Sequence, residues 1–214
     1  MEIKELYLGK YYRVVRGRSQ EPADRVVVSF LPWRKHPNLS QDAFGTPFFN
    51  THNISFVGVV PGQNCWYQHQ EIEIALSYVA AEIGSRIAFG YGSSMGAYAV
   101  LNFANILGLD CGLVLAPQFS ISPKLAKFET RWREEAEAIE FQFDLINTIS
   151  STARITMVYD NSNLLDAAHI ELIRGHFPCS RFLPIESSGH EVIRWLSKKR
   201  ILRDLILGSL SGEL

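Results

Sequence analysis

One serine in this sequence stands where a hydroxyl can be made to attack. Gly92-Ser93-Ser94-Met95-Gly96 spells Gly-x-Ser-x-Gly; a short apolar run, residues 86–89, precedes it, and a stretch of helical composition, residues 97–107, follows. Strand, sharp turn, helix is the order that projects a strained serine clear of a sheet. The glycines are needed because side chains two residues either side of that serine would collide as strand and helix fold past each other. Ser94 is the serine in register. Were Ser93 the nucleophile, the flanking positions would be Tyr91 and Met95, both bulky.

A competing chemistry uses the same glycines. Gly90, Gly92 and Gly96 also read as a relative of the dinucleotide-binding turn. Such a turn wants an acidic residue at the end of the following strand, about 20 residues on. Asp110 falls near that distance but precedes the next apolar run, residues 112–116. The nucleophile reading is therefore preferred.

The elements that must position Ser94 follow from the apolar pattern. Residues 25–30, 54–60, 112–116 and 154–159 are short apolar runs of the kind buried on both faces of a parallel sheet, and 180–185 is a late strand. An early strand, residues 11–17, is expected at a sheet edge. Helical spacing appears over 67–83, 164–176 and 192–207, the last as one closing helix. Alternating strands and helices predict a single α/β domain, a mainly parallel sheet of six to eight strands covered by helices on both faces. Residues 118–151 interrupt the alternation as a helical, lid-like insert. Ligands of such sheets sit beyond the carboxyl ends of the strands, and Ser94, Asp160 and His190 each follow a different strand there.

Composition narrows the classes of partner. The chain has 214 residues, 47% hydrophobic and 20% charged, with 21 basic against 22 acidic residues and a net charge of −1. No bulk field favours nucleic acid or a membrane surface. Three separated cysteines, with no Cys-x-x-Cys or Cys/His cluster, give no disulfide framework and no metal site. The N-terminal residues lack a signal-like apolar core, and no apolar run is long enough to span a bilayer, so the cytoplasm is the expected location. No cofactor is called for, and the oligomeric state is left open.

With Gly92, Ser94 and Gly96, the order Ser…Asp…His, and Gly189-His190 before a last helix, the chain resembles the α/β-hydrolase superfamily over roughly residues 25–207. The resemblance implies that His190 is the base that activates Ser94 and that an aspartate orients His190. Asp160 ends its strand and Asp166 comes six residues later, whereas the family's usual place for the acid is held by Asn163. Asp160 is preferred, with Asp166 the alternative acid, because Asp166 could instead cap the helix that follows. The oxyanion hole implied by the resemblance combines the Met95 N–H with one from the loop after residues 25–30. Pro32 has no N–H, so Leu31, or else Phe30, is expected to donate. The family often has a His-Gly pair at that loop, and this chain does not.

Aromatic residues supply the expected walls. Trp33 and Phe48 in the long segment 31–53, with Phe119 and Trp132 in the insert, are expected to line a pocket for a small apolar acyl or aryl group. The expected function is hydrolysis of a small carboxylic ester or thioester through an acyl-enzyme on Ser94. A catalytically degenerate binding protein and an acyltransferase of the same fold are the alternatives.

Overall fold

The computed structural model describes residues 1–20 and 23–212. Eight strands form one sheet: β1 (Ile3–Leu8), β2 (Tyr12–Gly17), β3 (Arg25–Phe30), β4 (Phe56–Pro61), β5 (Ile87–Ser93), β6 (Cys111–Leu115), β7 (Arg154–Asp160) and β8 (Arg181–Ile185). Their order is β1-β2-β4-β3-β5-β6-β7-β8. The β1–β2 and β2–β4 pairs are antiparallel, and every pair from β4–β3 to β7–β8 is parallel. The expected edge position of the early strand is corrected: β2 is interior to the sheet, and β1 lies outside it. Ile-Lys-Glu-Leu-Tyr-Leu is mostly exposed, so β1 lacks the apolar run that marks the buried strands.

Side-chain alternation divides the core into two layers. Val26, Val28 and Phe30 of β3 pack with Val57 and Val59 of β4 on one face, under α2 (Ile72–Ile83), α3 (Met95–Asn102) and α5 (Leu164–Arg174). Val27, Phe56, Phe89, Leu113 and Val158 face the other side, covered by α1 (Thr46–Thr51), α6 (Val192–Lys198) and α7 (Leu202–Ser211). The expected closing helix is thus two helices. Arg200 sits at a left-handed φ of 61° between them, which ends α6 and re-aims the chain.

The insert carries α4 (Arg133–Ala138) and a short 3₁₀ turn, Ile146–Thr148. Buried Asn102, at the end of α3, fastens it at three points. Its amide donates to the Phe143 carbonyl at 2.6 Å, and its oxygen accepts from the Leu145 and Ile146 N–H groups at 2.8 and 2.9 Å. Among the described residues no helix is long and apolar enough to cross a membrane.

Candidate active site

Ser94 sits between the last residue of β5 and the first of α3 with φ 50° and ψ −119°, a conformation that ordinary residues avoid. Its surroundings leave no alternative path. A Cβ on Gly92 would run into the Gly96 carbonyl, and a Cβ on Gly96 would run into the Phe30 carbonyl at the end of β3. Both glycines are therefore required by close backbone approach. The turn is anchored by the Ser94 N–H, which donates to the Leu115 carbonyl at 2.9 Å.

The Ser94 Oγ lies 2.7 Å from His190 Nε2. On the other side of the ring, His190 Nδ1 lies 2.9 Å from Asp166 Oδ1 and 3.2 Å from Oδ2. An ionised carboxylate can only accept, so Nδ1 carries the proton and Nε2 is left to accept from the serine hydroxyl. The three residues come from the β5–α3 turn, the loop after β8 and the first turn of α5. Such a chain can move a proton off the serine onto the imidazole while the carboxylate balances the new charge.

The aspartate in contact with His190 is Asp166, and the preference for Asp160 is corrected. Asp160 Oδ1 accepts from the Ser162 N–H at 2.8 Å and its hydroxyl at 2.5 Å, while Oδ2 accepts from the Ser188 and Gly189 N–H groups at 2.7 and 2.6 Å. With its lone pairs so engaged, Asp160 ties down the loop that presents His190. The helix cap is supplied by Asn163, not by Asp166: the Asn163 side chain accepts from the Leu165 and Asp166 N–H groups. That leaves the Asp166 carboxylate free to face inward, with 0% of the residue exposed.

Asp166 also joins a buried charge network. Arg131 Nη1 donates to Asp166 Oδ1 at 2.7 Å, and the rest of the guanidinium clasps Glu129 with contacts of 2.6 to 3.1 Å. Glu129 in turn lies 2.9 Å from His169 Nε2, and the Phe119 N–H donates to His169 Nδ1 at 3.1 Å. That second bond makes Nδ1 the acceptor, so neutral His169 donates from Nε2 to Glu129. Burial alone would raise the Asp166 carboxyl, but the hydrogen bond and charge of His190, then Arg131, outweigh it and hold it below the usual range. Glu129 behaves likewise: burial works against its charge, and His169 and Arg131 prevail. His169 moves down because burial dominates the pull of Glu129. Glu129, Arg131 and His169 were not singled out as site residues from the sequence. The signal available was the i, i+3 spacing of Asp166 and His169, which puts both on one face of α5.

The oxyanion expectation changes in one half. Met95 opens α3 and carries one of the orphan N–H groups of a helix start. Leu31 does not present its N–H to the site: it donates to the Val59 carbonyl at 3.3 Å, continuing the β3–β4 ladder beyond Phe30. Pro32 has no donor, and the Arg34 N–H is held by Asn64 Oδ1 at 3.0 Å. Between them, the Trp33 N–H has no partner among the described residues.

A cavity of about 230 Å³ opens over Ser94 and His190, with Trp33 and Trp132 among its walls. The two indoles lie 5.7 Å apart, Trp66 backs Trp132 at 5.5 Å, and the Trp33 indole N–H donates to Glu135 at 2.9 Å. Phe48 and Phe119 are not cavity walls, contrary to expectation. Phe48 rides on α1 against His52 on the opposite face of the sheet, and Phe119, at the start of the insert, is buried against His176. Among the described residues no group of three His, Cys, Asp or Glu side chains could hold a metal ion.

No protein-family model matches the sequence, and no curated protein is similar to it in sequence. Solved structures are similar in fold. A capsule O-acetyltransferase of Neisseria meningitidis serogroup A superposes with a TM-score of 0.65 at 15% identity, over 92% of this chain and 93% of that one. An α/β superfamily hydrolase of Oenococcus oeni reaches 0.63 at 12% identity, over 97% and 99%. This is the α/β-hydrolase fold. A fluorophosphonate-binding serine hydrolase of Staphylococcus aureus has the same architecture, with a TM-score of 0.58 at 12% identity over 94% and 96%. The fold explains why Ser94, Asp166 and His190, far apart in sequence, meet at one end of the sheet: each follows the carboxyl end of a parallel strand.

Proposed function

We propose that this protein is a serine hydrolase that cleaves a small carboxylic ester or thioester by way of an acyl-enzyme. The observation that carries the reading is the continuous hydrogen-bonded line from Ser94 Oγ through His190 to Asp166. In this reading His190 takes the Ser94 proton as Oγ adds to the substrate carbonyl, and the oxyanion is held by the Met95 and Trp33 N–H groups. Collapse of the tetrahedral intermediate expels the alcohol or thiol, which takes the proton back from His190. Water, deprotonated by His190, then releases the acid. The cavity beside Ser94 suits a short acyl group between the Trp33 and Trp132 rings.

An acyltransferase is the second reading, favoured by one feature of the surface. A cleft of about 620 Å³ lies on the far side of the Trp33–Glu135 contact, lined in part by Glu135, Asn64 and His69, and offers room for an acceptor. A neighbour of the same fold is described as an O-acetyltransferase.

Stoichiometric labelling by an active-serine fluorophosphonate tests the reading. Labelling of the intact protein, lost in Ser94→Ala and His190→Ala, is the expected result. A folded protein that takes up no label has no activated serine, and the reading fails. Adding alcohols or amines during ester turnover then separates the two acyl fates: diversion of product to the acceptor identifies a transferase.

A further inference from the structure

The mouth of the Ser94 cavity holds two cations that the triad does not use. Arg34, on the loop after β3, and Arg194, in the first turn of α6, both line it, and both are exposed. Neither side chain takes part in an ion pair or a hydrogen bond among the described residues. Arg13, Arg16 and Arg131 are paired with carboxylates of the fold, whereas Arg34 and Arg194 are the two arginines that line this cavity. One acidic residue, Glu191, shares the cavity lining, so the rim remains net positive.

The backbone that carries Arg34 is held in place. Asn64 accepts from the Arg34 N–H at 3.0 Å and donates to its carbonyl at 2.7 Å, a paired contact that fixes the residue's backbone while its side chain stays free. Arg194 is set by α6, which starts directly after His190 and Glu191. The Trp33 and Trp132 rings line the same cavity and offer an apolar wall beside the two cations. A guanidinium fork matches the geometry of phosphate and carboxylate oxygens.

We infer that Arg34 and Arg194 recognise an anionic group, phosphate or carboxylate, on the compound whose acyl group Ser94 attacks. The inference rests on the acyl-transfer reading of the site and names its substrate class. The anion can belong to the leaving group, as in a phosphorylated thiol ester, or to the acyl chain, as in a monoester of a dicarboxylic acid.

Two matched pairs of compounds distinguish these sources. S-acetyl phosphopantetheine against S-acetyl pantetheine places the charge on the leaving group, and nitrophenyl monosuccinate against nitrophenyl butyrate places it on the acyl chain. Ratios of kcat/KM within each pair are measured for the wild type, Arg34→Gln, Arg194→Gln and the double variant. The charged member of one pair is expected to be preferred by about tenfold or more, with the preference falling about tenfold in each single variant, mainly through KM. Glu191→Gln is expected to raise it. Equal kcat/KM within both pairs, or a preference that survives in the double variant, overturns the inference. Calorimetric titration of Ser94→Ala protein with the same thioesters keeps the two readings apart. Charge-dependent binding without turnover or fluorophosphonate labelling would sink the hydrolase reading and leave the anion site standing. Labelling and turnover of the neutral esters, with no charge preference in either assay, would do the reverse.

Discussion

Replacing Asp160 with asparagine separates a residue that holds the site's loop from one that works on its histidine. Burial of Asp160 would raise its carboxyl. The Ser162 hydroxyl and N–H, with the Gly189 and Ser188 N–H groups, overcome this and hold it at about 2, against 3.8 for a free aspartate. That difference, at about 1.4 kcal/mol for each tenfold change in proton affinity, corresponds to about 2–3 kcal/mol. Because the folded value lies below the unfolded one, this stability is present in full above pH about 4 and is lost as the pH falls from about 4 to about 2. Asp160→Asn keeps one acceptor oxygen and turns an amide group toward N–H donors. We expect it to lose about 2–3 kcal/mol at pH 7 in urea unfolding followed by tryptophan fluorescence, with the gap to wild type closing on acidification. Because the same contacts hold Ser188 and Gly189 next to His190, kcat should fall about tenfold. Asp166→Asn, which removes the partner of His190 itself, should cost about 1000-fold or more. The reasoning is refuted if Asp160→Asn unfolds at the wild-type urea midpoint across this pH range. It is equally refuted if it costs as much activity as Asp166→Asn.

Two further outcomes are expected. Arg131→Met leaves Glu129 and Asp166 buried without their cation and should destabilise the fold by about 3–5 kcal/mol at pH 7. Glu129→Gln in the same chain should recover part of that loss in thermal melts, and Arg131→Lys should not restore the wild type, since one ammonium cannot serve both carboxylates in the same plane. Gly96→Ala drives a methyl into the Phe30 carbonyl, so both the melting temperature and the rate of fluorophosphonate labelling should fall; a wild-type rate would mean that α3 can move away from β3 without cost.

The parallel strands were legible because burial on both faces leaves a mostly apolar run, as in Arg25–Phe30 and Arg154–Asp160. Ser94 was legible because close backbone approach leaves glycine little competition at 92 and 96. Helix starts were harder. Trp66 and Tyr67 hold left-handed φ values of 45° and 59°, which delays α2 to Ile72, and nothing in those aromatic residue types announces such a backbone. The choice between Asp160 and Asp166 turned on which residue caps α5 and which loop donors reach Asp160 across 28 residues, both tertiary facts. Trp33 and Phe48 read alike in sequence; the sheet face that α1 covers separates them.

The clasp of Arg131 on Asp166 bears on how freely the insert could be exchanged. Residues 129–132 contribute a wall of the cavity in Trp132 and, one position earlier, the cation that lies against Asp166. A cavity wall and the cation beside Asp166 are thus written into adjacent residues of one segment. A chimera that took its insert from another protein of this fold would gain new walls and, unless the graft brought its own guanidinium to the same spot, would leave Asp166 without its cationic partner. Recombination should therefore respect a boundary that encloses residues 118–151 together with α5, treating them as one inherited block.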